Sequence, residues 1–167
     1  MTTLILGLGN PILSDDGVGV RVAKAVGAAL PADSPVEISE ACVGGLGLME
    51  RMLGYERVIL IDALYPAHHS PGRLHRLTLD QLHTLSPTQH SASAHDTSLV
   101  TALKVGKRMG LSLPKEIIIY AIEVENITDF GQQLTPAVAS VMPQATAAVL
   151  AELEQMTTGR QRPKEEL

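Results

Sequence analysis

Short aliphatic runs alternate with amphipathic segments along the first part of the chain, and this alternation predicts strands that are covered by helices. The aliphatic runs occupy residues 4–8, 36–41 and 57–63. Between the first two runs, residues 15–29 carry valines at helical spacing behind two acidic residues, which suit the positive end of a helix dipole. Strands that alternate with helices in this way indicate a parallel sheet with right-handed crossovers.

The second part of the chain adds two strands to this pattern. Residues 72–79 alternate apolar and polar side chains, which predicts an exposed, antiparallel edge strand. Residues 116–124 form the last aliphatic run. We therefore expect an α/β fold: a three-layer sandwich with a mostly parallel, twisted, five-stranded sheet, one antiparallel edge strand, and helices on both faces.

The region between the edge strand and the last strand divides into a polar segment and a helix. Residues 84–94 are polar and irregular in pattern. Residues 95–109 have the periodicity of a helix. The side chains of this helix that we expect to face inward are Leu99, Leu103 and Val105.

A long helix is expected to close the chain. Pro136 should lie in its first turn, where proline is tolerated, and Pro143 about two turns later should kink or restart it. The polar residues from 157 onwards predict a frayed tail. Because no repeat or linker divides the sequence, we expect a single α/β domain over residues 1–156, followed by the tail 157–167.

Composition and charge restrict the functions of such a domain. The 167 residues are 45% hydrophobic but only 2% aromatic, so the core must be aliphatic. The net charge of −5 and the lack of a basic stripe argue against a nucleic-acid partner. No leader is evident and no apolar run approaches the roughly 20 residues that span a bilayer, so we expect a cytoplasmic protein. The single cysteine, Cys42, excludes a disulfide framework.

Three polar residues stand at or near the predicted carboxyl ends of strands, where ligand sites form in parallel sheets. Asp16 follows the first strand, Asp62 closes the third, and His95 begins the helix before the last strand. Two carboxylates and an imidazole can bind a divalent ion such as nickel or zinc and leave positions open for water or substrate. Each also has a simpler interpretation, as a helix-start acid, a turn cap and a solvent-facing histidine respectively.

Other features give weaker signals. The segment 7–9 begins like a dinucleotide-binding fingerprint, but Ile12 stands where the third glycine should be and Pro11 lacks a backbone donor, so the fingerprint fails. His68 and His69 could form a second metal site, although a solvated loop is the simpler interpretation. The chain has one phenylalanine and no tryptophan, so the sequence does not predict an aromatic binding surface for a partner.

The motif GLGNPILSDDGVGVRV at residues 7–22 resembles the opening of the hydrogenase maturation peptidases, a family that processes nickel–iron hydrogenase large subunits. Four further blocks follow in the family's order: GGL at 44–46, RVILIDA at 57–63, SAHDTSL at 93–99 and IEVENITDFGQQLTPAV at 122–138. Because five blocks in one order cover the chain to about residue 150, the resemblance is not a matter of one short motif.

The resemblance implies roles for the residues at the strand ends. The family's metal-binding residues are an acid in the first loop, an aspartate that ends the third strand and a histidine before the fourth helix. They fall on Asp16, Asp62 and His95. Some members have glutamate in place of Asp16, so the carboxylate of this chain has a shorter reach. Glu40 lies near a glycine pair where relatives can carry an acid, and we take it as a solvated carboxylate.

The resemblance further implies an activity, a substrate and a metal. The protein would be an endopeptidase that removes a C-terminal extension from a hydrogenase large-subunit precursor after nickel insertion. Nickel in the substrate would be the recognition feature, and the enzyme, expected as a monomer, would need no organic cofactor. Nickel could act as a Lewis acid, or it could position the peptide while Asp16 or Asp62 activates water.

Two alternative functions remain open at this point. Peptidyl-tRNA hydrolases also carry GLGNP after a strand, but they continue with a different block, and the net charge of −5 disfavours a tRNA substrate. A metal-dependent chaperone that grips the precursor without cutting it would use the same three residues as the peptidase. A cleavage assay separates this chaperone function from the peptidase function.

Overall fold

The structure, a computed structural model, describes residues 2–65, 70–85 and 94–158, with all of their side chains except those of residues 83–85, 94–98 and 157–158. The strands are β1 Thr3–Leu8, β2 Val36–Ala41, β3 Arg57–Leu64, β4 Leu74–Thr78 and β5 Glu116–Glu123. The helices are α1 Val18–Ala29, α2 Gly45–Arg51, α3 Leu79–Leu85, α4 Ala94–Arg108 and α5 Pro136–Thr158. A single 3₁₀ turn, Ser14–Gly17, precedes α1.

The five strands form one sheet in the order β2-β1-β3-β5-β4. β1 pairs with β2 and β3 in parallel, and β3 pairs with β5 in parallel. Only β4, at the end of the sheet, runs antiparallel, against β5. The predicted α/β architecture, with its mostly parallel sheet and antiparallel edge strand, is confirmed. The four parallel strands therefore end at one side of the sheet, which we call the carboxyl edge, and begin at the opposite side, the amino edge.

Aliphatic side chains fill the core on both faces of the sheet. On the first face, alternate strand residues such as Ile5 and Ile59 pack with Val22 of α1 and Val141 of α5. On the second face, the residues between them pack with side chains of α2, α3 and α4, such as Leu99. The single described aromatic side chain that is fully within the core is Tyr120. Burial on both faces explains why these strands have continuous apolar sequences.

Helix α3, Leu79–Leu85, was not predicted, and its last two residues lie in the segment 84–94 that was predicted to be irregular. The N–H of Gln81 donates to Thr78 Oγ1 at 3.3 Å, and the Gln81 side-chain oxygen accepts from the N–H of Thr78 at 2.9 Å. This reciprocal pair is a capping box, which starts a helix. The signal was present in the sequence as a threonine followed three residues later by glutamine. Residues 86–93 lie outside the described part of the chain.

The two later helices confirm most of the predicted pattern. In α4, Leu99 is fully buried, but Val105 is 40% exposed and the prediction that it faces inward was wrong. Ala102 is buried in its place, because positions three and four apart share one helix face. Helix α5 begins at Pro136 as predicted and continues through Pro143 without a restart. Among the described residues, no helix is long and apolar enough to cross a membrane.

Candidate active site at the carboxyl edge of the sheet

Asp62 is a buried carboxylate near the end of β3. It is 5% exposed, and its Oδ1 accepts a hydrogen bond from the N–H of Ala63 at 2.8 Å. Its side chain shares the second face with Leu60 and Leu64, which belong to the core there. A carboxylate inside an aliphatic strand costs desolvation free energy unless polar groups surround it. This position, predicted from the sequence, is therefore a natural place for chemistry.

Asp16 lies at the end of the neighbouring strand. Its Oδ2 accepts a hydrogen bond from the N–H of Asn10, just beyond β1, at 2.7 Å. The fit there is close, because Gly9 has a φ of 121° and a Cβ at Gly9 would lie 1.9 Å from the Asp16 carbonyl oxygen. Only glycine fits this position. The carboxylate of Asp16 is thus held beside the end of β1, and β1 is the direct neighbour of β3.

Close packing of α1 on the sheet brings the 3₁₀ turn down onto β1 and β3. A Cβ at Gly19 would lie 2.2 Å from the carbonyl oxygen of Ile61 and 2.6 Å from that of Leu8. The glycine therefore allows the first turn of α1 to touch both strands, and the 3₁₀ turn itself contacts β3. As a result, the turn that carries Asp16 and the end of β3 that carries Asp62 lie at the same edge of the sheet.

The backbone of His95 lies in the first turn of α4, since the helix begins at Ala94. Helix α4 leads into β5, which is parallel to β1 and β3, so the start of α4 lies toward the carboxyl edge. Leu99, one turn further on, packs on the second face, where Asp62 also lies. The side chain of His95 is outside the described residues, so its predicted place in the trio stays a prediction.

Asp15 is a buried carboxylate of the carboxyl edge that the sequence did not single out. It is fully buried, and its Oδ2 accepts hydrogen bonds from the N–H groups of Glu125 at 3.1 Å and Asn126 at 3.0 Å. Thr135 adds its N–H, at 2.7 Å to Oδ1, and its hydroxyl, at 2.8 Å to Oδ2. Asp15 thereby ties the loop after β5 and the start of α5 to the 3₁₀ turn that carries Asp16.

Glu123 and His75 add a second polar pair to the carboxyl edge. Glu123 is 5% exposed, and its Oε1 lies 2.7 Å from His75 Nε2 on the edge strand. Its other oxygen accepts a hydrogen bond from the N–H of Ser70. The sheet register places His75 opposite Ala121, which is opposite Asp62 on its other side, so all these side chains share the second face. The pair was not predicted from the sequence.

The remaining candidates are less closely connected with the edge. Glu40 forms an ion pair with Lys24 at 3.0 Å, and more than half of each side chain is exposed, as expected for a solvated carboxylate. His68 and His69 lie outside the described residues. Among the side chains that the structure describes, no three His, Cys, Asp or Glu residues are grouped closely enough to hold a metal ion. That set does not contain His95.

A cavity of about 500 Å³ opens at the carboxyl edge between the end of β3 and the loop after β5. It is lined by Tyr65, Glu125, Asn126, Ile127, Thr128, Thr135 and Pro136. Asp15 holds the wall of this cavity in place, because Glu125, Asn126 and Thr135 donate their backbone N–H groups to its carboxylate. A volume of this size is in the range of small-ligand sites and accommodates side chains of a bound peptide.

Comparison with known proteins gives a consistent result along the whole chain. A family model described as hydrogenase maturation protease matches residues 20–152. The hydrogenase 2 maturation protease of Escherichia coli (strain K12) is 27% identical over 155 residues, which cover 93% of this chain and 92% of that protein. The hydrogenase expression/formation protein HupD of Thiocapsa roseopersicina is 25% identical over 152 residues, covering 91% of this chain and 67% of that protein.

Solved structures show the same similarity in three dimensions. The hydrogenase maturating endopeptidase HybD from Escherichia coli matches with a TM-score of 0.78 at 28% identity, covering 93% of this chain and 94% of that one. The [NiFe] hydrogenase maturation protease HybD from Thermococcus kodakarensis matches with a TM-score of 0.66 at 23% identity, over 91% of this chain and 99% of that one. Because its sequence identity is low, this second similarity is evidence for the fold alone.

Proposed function

The chain belongs to the hydrogenase maturation protease family, and from that premise we propose that it removes the C-terminal extension of a nickel-loaded hydrogenase large-subunit precursor. That it is an endopeptidase of hydrogenase maturation follows from the family and its relatives. We propose in addition that the precursor carries nickel when it is cut, that nickel is the recognition feature, and that particular residues of this chain bind it. The family also separates the chain from the peptidyl-tRNA hydrolases, which share only its opening motif.

One observation supports this proposal above the others: two carboxylates lie at the carboxyl edge near the ends of the adjacent strands β1 and β3, and α4 begins toward the same edge. Asp16 lies beyond β1 and Asp62 within the end of β3. His95 is in the first turn of the helix that covers the same face as Asp62. Two carboxylates and one imidazole can divide the tasks of such a site between them, some as ligands of a nickel ion bound in the substrate and one as the base that activates water.

We assign Asp16 as the general base, because its side chain is partly exposed whereas Asp62 is buried. The carboxylate accepts a proton from water while the water oxygen forms a bond to the scissile carbonyl carbon. The proton then passes to the nitrogen of the leaving peptide as the C–N bond breaks. In this scheme nickel of the substrate fixes the register of the peptide, and Asp62 and His95 hold that nickel.

The cavity beside Tyr65 supports the same scheme. It is bounded by the loop after β5, which Asp15 ties to the 3₁₀ turn that carries Asp16. We propose that side chains of the precursor's C-terminal segment occupy it. Because Asp15 fixes both the cavity wall and the turn of Asp16, substrate binding and the base would keep a constant separation.

Further properties of the protein remain predictions from its sequence. The net charge of −5 supports a function without nucleic acid. We also expect a monomer without an organic cofactor, acting in the cytoplasm.

The test is mass spectrometry of the large-subunit precursor after incubation with this protein. Six reactions are compared: precursor with and without nickel, each with wild type, with Asp16→Asn and with a control variant. An exposed acid elsewhere, Asp33, provides the control substitution Asp33→Asn. We expect a nickel-dependent loss of a C-terminal peptide with wild type and Asp33→Asn, and none with Asp16→Asn. A nickel-loaded precursor that binds but stays intact with wild type would instead support the gripping chaperone.

A further inference from the structure

Exposed apolar side chains surround the carboxyl edge. Among the described residues, the large apolar side chains with the greatest exposure include Phe130 at 85%, Leu46 at 56%, Ile12 at 47% and Val43 at 38%. These residues lie in or beside the segments that follow β5, β2 and β1. Val105 and Met109 are also exposed, but they lie at the far end of α4, toward the amino edge. Contiguous exposed apolar side chains mark interaction sites more often than scattered ones.

Phe130, the single phenylalanine of the chain, is presented by a loop with a defined structure. Asn126 Oδ1 accepts hydrogen bonds from the N–H groups of Thr128 at 3.2 Å and Asp129 at 3.1 Å, and Asn126 Nδ2 donates to Asp129 at 2.7 Å. The loop is thus ordered by its own hydrogen bonds while the aromatic ring stays uncovered. An ordered loop loses little conformational entropy when a partner binds, which favours affinity.

The loop of Phe130 is joined directly to the loop of Asp16. The N–H of Gly131 donates to the carbonyl oxygen of Ile12 at 2.8 Å, and the N–H of Ser14 donates to the carbonyl oxygen of Gly131 at 2.9 Å. Ser14 Oγ adds a bond to the carbonyl oxygen of Gln133 at 3.0 Å. Phe130 and Ile12 therefore lie on two segments that are hydrogen-bonded into one unit with the 3₁₀ turn.

The charge of this unit is of one sign. Segments 9–20 and 124–135 contain four acidic residues and no lysine or arginine. Asp15 is fully buried, whereas Asp16, Glu125 and Asp129 are at least partly exposed and form an acidic rim. A partner surface that covers Phe130 must therefore approach an acidic rim, and electrostatic complementarity requires basic residues around its apolar pocket.

We propose that Phe130 and Ile12 form an apolar anchor that docks into a pocket on the hydrogenase large-subunit precursor, and that basic side chains surround this pocket. The inference rests on the proposed function, because it names the partner of the same edge. Exposed aromatic residues that enter a partner's pocket carry a large share of the binding free energy. Because the anchor and the turn of Asp16 are one hydrogen-bonded unit, docking at Phe130 sets the position of the base relative to the precursor.

The experiment compares Phe130→Ala with Met109→Ala in the cleavage of nickel-loaded precursor at varied concentration. Both side chains are mostly exposed, at 85% and 67%, so both variants should fold like wild type. For Phe130→Ala we expect KM to rise about 10- to 30-fold with little change in kcat, as for the loss of an aromatic hot spot. For Met109→Ala we expect both constants to stay within about twofold, as for a residue outside the interface. An unchanged KM for Phe130→Ala overturns the anchor.

Salt dependence tests whether basic side chains surround the pocket on the precursor. Glu125 is exposed, and Glu125→Gln removes one negative charge from the acidic side without changing side-chain size. We expect kcat/KM of wild type to fall as salt rises, and to fall less steeply for Glu125→Gln. If kcat/KM falls equally steeply with salt for the two proteins, the proposed basic side chains around the pocket are contradicted.

Failure of the proposed function would give a different result from failure of the anchor. If wild type leaves the nickel-loaded precursor intact, the proposed cleavage fails, and the anchor is then measured as the dissociation constant of the intact complex. There Phe130→Ala must still weaken binding relative to Met109→Ala. If wild type cleaves and the two variants behave alike, the anchor fails and the proposed function stands.

Discussion

The amino edge and the carboxyl edge of the sheet hold their charged residues in different ways. At the amino edge, Lys115 donates to Glu56 at 3.1 Å and Arg57 lies 3.2 Å from Glu116, and most of these side chains are substantially exposed to solvent. At the carboxyl edge, Asp15 is fully buried, and backbone N–H groups and a hydroxyl, not cations, donate to its carboxylate. The buried carboxylate of Asp15 is thus stabilised differently from the exposed pairs of the amino edge.

The difference determines which edge can attract a cation. Exposed ion pairs contribute only about 0–1 kcal/mol and leave little net charge. Carboxylates held by neutral donors have no cation among those donors, and in a poorly solvated setting electrostatic interactions act over a longer range. The carboxyl edge is therefore suited to a metal ion or a basic partner surface, whereas the amino edge is suited to closing turns. Four predictions test this comparison.

The largest effect on stability should come from Asp15→Ala. The substitution leaves three buried backbone N–H groups without their carboxylate, and we expect the free energy of unfolding to fall by about 3–5 kcal/mol. Urea unfolding followed by circular dichroism measures the change. The control is Asp33→Ala, which makes the same substitution at an exposed acid. Equal stability of the two variants would show that the buried carboxylate is not what joins the loops of the carboxyl edge.

Gly9→Ala should have the next largest effect, because it acts on the backbone that holds Asp16. A Cβ there would lie 1.9 Å from a carbonyl oxygen at a φ of 121°, so the turn must shift. We expect a loss of about 2–4 kcal/mol in stability from strain and overpacking, together with loss of precursor cleavage.

Gly110→Ala is the matched control for Gly9→Ala at the amino edge. Gly110 also has a positive φ, of 72°, but nothing lies within 4 Å of its Cβ position. We expect a loss of only about 1 kcal/mol, from the left-handed backbone alone, with cleavage retained. If both variants lose activity alike, the close fit at Gly9 is not specific to the site.

Glu152→Gln should have an intermediate effect, since Glu152 is buried like Asp15 but is paired with a cation like Glu56. Glu152 is 5% exposed, yet it accepts hydrogen bonds from Arg76 at 2.6 and 2.9 Å and from the Tyr120 hydroxyl at 2.8 Å. This carboxylate joins β4 to α5 and raises the pKa of the Arg76 guanidinium. We expect a loss of about 1–3 kcal/mol, because one oxygen becomes an amide donor facing Arg76.

Cleavage distinguishes this carboxylate from those of the carboxyl edge. Glu152 lies on the first face of the sheet, away from Asp62, so kcat for the precursor should not change below the melting temperature. A variant that keeps its stability but loses kcat would mean that the first face also takes part in the reaction.

The sequence predicted the fold well because most of its signals are local. The aliphatic run at residues 57–63 and the alternation at 72–79 specify a buried and an edge strand within a few residues. Asp62 was recognisable because an acid in an aliphatic run is costly, and Asp16 because it follows a strand. Helix α3 had a local signal too, the capping box of Thr78 and Gln81, which the polar character of the following residues obscured.

The interactions that could not be predicted join distant parts of the chain. Asp15 bonds to groups 110 to 120 residues away, and Glu123 meets His75 across 48 residues. A single sequence does not indicate which of two adjacent aspartates turns inward, because both suit the start of a helix. The exposure of Phe130 was equally hidden, since aromatic residues are usually buried.

The smallest effect should come from Glu56→Gln at the amino edge. The hydrogen bond and charge of Lys115 lower the pKa of Glu56 below its ordinary value of 4.5. A lowered pKa in the folded state adds stability above the ordinary value, and that stability is lost as the pH falls through the lowered pKa. We therefore expect a small difference in unfolding free energy between wild type and variant at pH 7, and none once the pH is below both values.

Salt and a second variant complete this test of the amino edge. Both partners are solvent-exposed, so high salt at pH 7 should remove the difference, and Lys115→Gln should reproduce it. A loss as large as that of Glu152→Gln, or one that resists salt, would show that the amino edge is held by its ion pairs. The exposed pairs of the amino edge would then contribute as much as a buried carboxylate, and the contrast between Glu56 and Asp15 would fail.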